Sequence, residues 1–125
     1  MMINYRNFEA GPDPFGRTWH VEFQWLQTAI SIRHSDSVDL KYIISTAEEA
    51  TQEKVIALTL PDLLAVCEEV DHPLSDPFCL KLASLHLLRM IQSFEDMDKM
   101  LVTVTRPELL HYAQALTEKP QYITR

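Results

Sequence analysis

Glycine is the scarcest informative residue in this chain. Of 125 residues only Gly11 and Gly16 are glycine, and both fall within the first sixteen. Phosphate-cradling loops need backbone that turns tightly and approaches the ligand without a side chain. After residue 16 no segment can supply one, which excludes a P-loop or a dinucleotide-binding fingerprint there. Cysteine is nearly as scarce: Cys67 and Cys79 stand alone, with no Cys-x-x-Cys pair. A disulfide framework is therefore not expected, and two reduced, inert thiols in an apolar setting are. With 46% hydrophobic residues the chain can bury an ordinary core, so neither a disulfide nor a metal is required for folding.

Long apolar runs are missing too. The nearest approach, residues 80–91, contains Lys81, His86 and Arg89 and is too short to span a bilayer. Residues 1–8 lack the apolar h-region of a secretory signal, so a cytoplasmic location is expected. Positive charge is in short supply: 11 Lys and Arg face 18 Asp and Glu, for a net charge of −7. The deficit is even, with five against eight in residues 1–60 and six against ten in residues 61–125. Neither half can form the basic surface that drives counterion release, so no nucleic-acid partner is expected, and no anionic membrane. Catalytic signatures are absent as well. There is no Gly-x-Ser-x-Gly elbow and no His-Glu-x-x-His.

What is present is periodicity. Residues 1–16 are aromatic and punctuated by Pro12 and Pro14, which suggests an extended arm placing Tyr5, Phe8 and Phe15 on a neighbouring surface. From Arg17 the period is two. Trp19, Val21, Phe23 and Trp25 alternate with Thr18, His20, Glu22 and Gln24, the pattern of a half-buried strand. Ile30 and Ile32 continue it, with Ser31 and Arg33 on the other face, before a polar turn cluster at His34-Ser35-Asp36-Ser37. Val38, Leu40, Tyr42 and Ile44 mark the next strand, and Ile56, Leu58 and Leu60 a fourth. Short links between successive strands favour antiparallel pairing.

The period then lengthens. Thr59, Pro61 and Asp62 are a hydroxyl cap, an early proline and an acid in the first turn. A short helix with a Leu63, Leu64, Cys67 and Val70 stripe follows, ended by Asp71-His72-Pro73. Ser75 or Asp76 caps a second helix running to about Ser93. Residues 101–105 read as a fifth strand and residues 107–117 as a third helix. The run Thr59-Leu60-Pro61-Asp62-Leu63-Leu64 is echoed by Thr105-Arg106-Pro107-Glu108-Leu109-Leu110, which suggests reuse of one capping chemistry. The order β-β-β-β-α-α-β-α predicts an α+β domain over residues 17–125, a mostly antiparallel sheet of about five strands with three helices on one face.

Three groups of residues are candidates for function. On the outward face of the sheet, His20, Glu22, Arg33 and Lys41 share one parity, and cross-strand neighbours lie about 5 Å apart, so they can form an acid/base and anion-binding group. The second helix is apolar nearly all round, with Phe78, Leu85 and Leu88 interleaved among Lys81, Ser84, Arg89 and Gln92. Such a helix is covered on more than one side. Phe78, Leu85, Leu88 and Arg89 are therefore the expected interface of a homodimer.

Cys67, His72, Cys79 and His86 are zinc-ligand residue types at the wrong spacing. Cys79 and His86 are separated by about 10.5 Å along one helix, and ligands of one zinc must converge. No metal or cofactor is expected. The sequence points to a non-catalytic, self-associating interaction or regulatory module. The alternative is a small-molecule binder or small enzyme, with Trp19, Phe23, Trp25 and Tyr42 walling a pocket and His20, Glu22 or His34 as its polar contact.

Overall fold

The computed structural model of the chain describes residues 4–29, 36–47 and 49–117. Its elements are β1 (Asn7–Ala10), β2 (Trp19–Ala29), β3 (Ser37–Thr46), β4 (Glu49–Thr59), α1 (Leu60–Glu69), α2 (Asp76–Ser93), β5 (Leu101–Thr103) and α3 (Arg106–Thr117). The strands form one sheet in the order β1-β2-β3-β4-β5. Pairing is antiparallel except between β4 and β5, which run parallel. The fold is α+β, as the change of period from two to 3.6 predicts.

The strand count of four before α1 is reached differently from the sequence reading. The arm contributes a strand, β1, whose residues pair with residues 19–22 of β2. Residues 19–29 are one strand, while Ile30, Ser31, Ile32, Arg33, His34 and Ser35 lie outside the described residues. Ser37, read as part of a turn, is the first residue of β3. The arm's aromatics divide. Tyr5 and Phe8 pack against the core, whereas Phe15 is exposed, its ring edge-on to Phe94 at 5.2 Å.

Between β1 and β2 the chain makes a tight loop around Asp13. The Asp13 amide donates to the Arg17 carbonyl, and its carboxylate accepts from the amides of Phe15 and Arg17, from Arg17 Nε and from Trp19 Nε1, all at 2.8–2.9 Å. Gly11 has φ +137°, and a Cβ there would meet the Arg17 carbonyl oxygen at 2.8 Å, so only glycine closes this loop.

The helices cover one face of the sheet. Trp19, Val21, Leu40, Tyr42, Ile44, Ile56 and Leu58 point into the core with Leu63, Leu82, Leu87 and Ile91 of the helices. Each fully buried leucine of this set contributes about 1.5–3 kcal/mol by leaving water. α2 lies across β1 to β4 and also against α3. It is anchored by Ser84, whose hydroxyl meets the Tyr42 hydroxyl at 2.8 Å and donates to the Tyr5 carbonyl at 3.1 Å. Ser75 caps α2 by accepting from the Phe78 amide, and Phe94, at φ 63°, ends it in the left-handed region. On α1, Leu63 and Cys67 are buried and Val70 packs against the core as the stripe predicts, while Val66 is buried in place of Leu64, which is exposed.

The echoed capping motifs have a geometric counterpart. Since β4 and β5 are adjacent and parallel, α1 and α3 start at the same end of the sheet and pack side by side. At Thr105 the capping box closes, with the Thr105 amide and hydroxyl donating to Glu108 and the Glu108 amide donating back. At Thr59 the hydroxyl instead donates to Asp62, and Asp62 in turn accepts from Arg106 Nε at 2.8 Å. The two helix starts are thereby tied together.

Candidate functional site

The face of the sheet away from the helices presents cross-strand rows read directly from the register. One row is Glu9, His20 and Ser45, the next is Asn7, Glu22, Ile43 and Glu53, and the third is Trp25, Lys41, Val55 and Leu101. His20 Nδ1 meets Glu9 Oε2 at 3.0 Å. Glu22 is exposed between Asn7 and Ile43. Lys41 is engaged twice, at 3.2 Å from Glu53 and at 6.0 Å from the Trp25 ring centroid. Arg33 and His34 lie outside the described residues. His20, Glu22 and Lys41 thus fall in three successive rows, each with its own neighbour, and do not converge on one point.

Trp25 is a correction to the sequence reading. The β2–β3 register shifts between Phe23 and Trp25, placing one extra residue, Gln24, in β2. Such a bulge reverses the parity of everything beyond it. Trp25 and Gln27 therefore face outward, and Leu26 and Thr28 take the inward positions opposite Leu40 and Val38. Trp19 and Tyr42 are fully buried, Phe23 is edge-on to Tyr42 at 5.7 Å, and Trp25 is on the opposite side of the sheet. The four aromatics consequently do not wall one cavity.

α2 also reads differently once its surroundings are visible. Phe78 is only 4% exposed, stacked on His72 with ring centroids 4.0 Å apart. Leu85 and Leu88 are half-buried and pack against the core. Arg89 is exposed and bonds Tyr112, with Glu108 at 3.6 Å. Of the four expected interface residues, Phe78 is covered within the chain, Leu85 and Leu88 are covered only in part, and Arg89 remains exposed.

The zinc-type residues each have a structural role of their own. Burial pushes the Cys67 thiol up, and burial with Cys67 and Asp76 nearby pushes Cys79 up to about 12, so both remain protonated, unreactive thiols. His72 is held at the Pro73 carbonyl, and His86 Nδ1 meets the Tyr112 hydroxyl at 2.8 Å. Among the described residues no three His, Cys, Asp or Glu side chains are placed to hold a metal ion. Burial lowers the His86 pKa below the ordinary histidine value, against the opposing pull of Glu108. A shallow groove of about 570 Å³ between α1 and α3 is lined by Glu69, Val70, His111, Gln114, Ala115 and Thr117.

Two features escaped the sequence reading. Lys54, on an inward position of β4, is buried, and its ammonium donates to the carbonyls of Met97 and Lys99, fixing the approach to β5. Its parity with Ile56 and Leu58 places it inward, but its charge argued for solvent. The second is an open strand edge. β1 accompanies β2 only as far as Phe23, whose amide donates to the Arg6 carbonyl. Beyond it, no described strand flanks residues 24–29 on that side.

No protein-family model, curated protein or solved structure matches this chain. Among the described residues no helix is long and apolar enough to cross a membrane.

Proposed function

We propose that this chain is a non-catalytic interaction module of the cytoplasm that acts as a homodimer, associating through its sheet rather than its helices. One observation carries the reading: on its side away from β3, the second half of β2 has no described strand beside it, and it carries Trp25, 38% exposed on a face that no helix covers. The helical side, by contrast, buries most of its apolar residues against the sheet, although Leu64 of α1 stays exposed. α2 is closed over by the sheet and α3, and no buried side-chain nitrogen or oxygen among the described residues lacks a partner. Neutral thiols at Cys67 and Cys79 suit a reducing compartment. The net charge of −7 argues for a protein partner over nucleic acid or an anionic membrane.

Native mass spectrometry and sedimentation velocity across about 1 to about 100 μM test the reading, since the dimer fraction of a reversible pair rises with concentration. A dimer that populates over this range supports it. A monomer at every concentration overturns it.

A further inference from the structure

We infer that residues 24–28 of β2 pair antiparallel with the same residues of a second copy, so that the two five-stranded sheets become one continuous sheet. The inference rests on the self-association just proposed and names its surface.

The direction of the free backbone groups follows from the pleat. In an antiparallel ladder, residues alternate between those whose N–H and C=O face one neighbour and those that face the other. The Val55 amide donates to Met100 and the Ala57 carbonyl accepts from Val104, so the outward-facing residues of β4 bond toward β5. Its inward residues therefore bond to β3, and the outward residues of β3 bond to β2. Past the bulge, Trp25 and Gln27 are paired outward with Lys41 and Asp39, so they complete that ladder. The N–H and C=O groups of Leu26 and Thr28 are left pointing away from β3. No described strand bonds those groups, and an extended segment can supply backbone partners for them.

The other edges of the sheet carry the devices by which proteins block such pairing. β1 has four residues, includes Glu9 and leads into Pro12. β5 has three residues. The part of β4 that β5 leaves uncovered contains Glu53 and Lys54, and Lys54 turns inward to hold the chain before β5. Gln24-Trp25-Leu26-Gln27-Thr28 has no charge, no proline and no glycine. It is the unprotected edge among the described residues.

Charge selects the occupant. A chain of net −7 repels its own copies over most of its surface. Residues 24–28 are uncharged, and antiparallel pairing centred on Leu26 sets Gln24 against Thr28 and Trp25 against Gln27 with no like charges opposed. A second copy therefore meets least resistance here.

The test replaces Thr28, which is exposed and whose amide faces the open edge. Thr28→Pro removes that donor without touching the β2–β3 ladder, and Thr28→Val keeps it. Assembly is read by native mass spectrometry, and folding by far-ultraviolet circular dichroism with thermal melting. Amide hydrogen exchange at Leu26 and Thr28 is followed on the wild-type protein at high and low concentration. The expected result is a folded Thr28→Pro monomer, a Thr28→Val dimer, and amide protection at both positions that disappears on dilution. A dimer unaffected by Thr28→Pro overturns the edge pairing and leaves self-association standing. If Thr28→Pro unfolds, concentration-dependent amide protection in the wild type decides alone. Protection that persists in a wild-type monomer overturns the inference in favour of cover by the chain itself.

Discussion

The carboxylate of Asp13 organises the loop that turns the arm into a strand. It lies out of solvent, between the Arg17 guanidinium, the Trp19 indole and two backbone amides. Burial alone raises a carboxyl pKa, but here the hydrogen bonds from Trp19, Arg17 and Phe15 outweigh it and hold Asp13 at about 2. Arg17 is fixed in turn, 5.3, 5.2 and 5.6 Å from the ring centroids of Phe15, Trp19 and Phe94. The ionised form is therefore the folded form. A carboxyl whose pKa is depressed on folding adds stability that is complete above its unfolded value of 3.8 and disappears as pH falls through about 2. Asp13→Asn keeps the shape and removes the charge. It lowers the urea midpoint at neutral pH, and the gap between variant and wild type narrows as pH falls through that window. A constant gap between the two proteins would show that the carboxylate's ionisation is not what stabilises the loop.

At the scale of elements, the sequence was most legible where period and capping agree. α2 runs from the Ser75 cap to Ser93 as the apolar stripe indicates, and α3 opens on its capping box. Legibility failed where a tertiary partner decides the outcome. Asn7–Ala10 alternates polar and apolar residues over only four positions beside Pro12, too short a run to read as a strand, and it becomes β1 because β2 offers it a register. Trp25 fits the inward alternation until one inserted residue reverses the parity, and no residue type in Gln24-Trp25 announces a bulge. The candidate edge was visible only as an uncharged stretch, since its exposure depends on where β1 stops.

The contact between α2 and α3 carries a pH response at this same scale. His86, 5% exposed, is bonded to Tyr112 and faces Arg89 from its own helix and Glu108 from α3, with Glu95 and Asp96 nearby. Burial favours its neutral form, so the folded state gives up a proton that the unfolded chain holds below about 6.5. Stability from this contact is full above that value and falls as pH drops below it. Urea denaturation from about pH 7 to about pH 5 is expected to show the wild type weakening more than His86→Gln. Equal slopes for the two proteins would assign the loss to other groups.

Taken whole, the molecule is an acidic body with an uncharged strip along one strand. Its net charge of −7 opposes association at long range, whereas the strip at residues 24–28 offers backbone hydrogen bonds and the Trp25 ring at short range. These two contributions respond oppositely to salt. Screening shortens the reach of like-charge repulsion from about 14 Å near 0.05 M to about 4 Å near 0.5 M ionic strength, while backbone pairing and apolar contact are little affected. A dimer joined through the strip therefore tightens as salt rises, and tightens again as pH is lowered toward the isoelectric point near 5.1. A dimer held by cross-chain ion pairs loosens with salt instead. Sedimentation equilibrium of the wild-type chain at the two salt concentrations separates these cases. A dissociation constant that falls between low and high salt agrees with pairing along β2, and one that rises would place the contact on the charged rows around Glu9, His20 and Glu53.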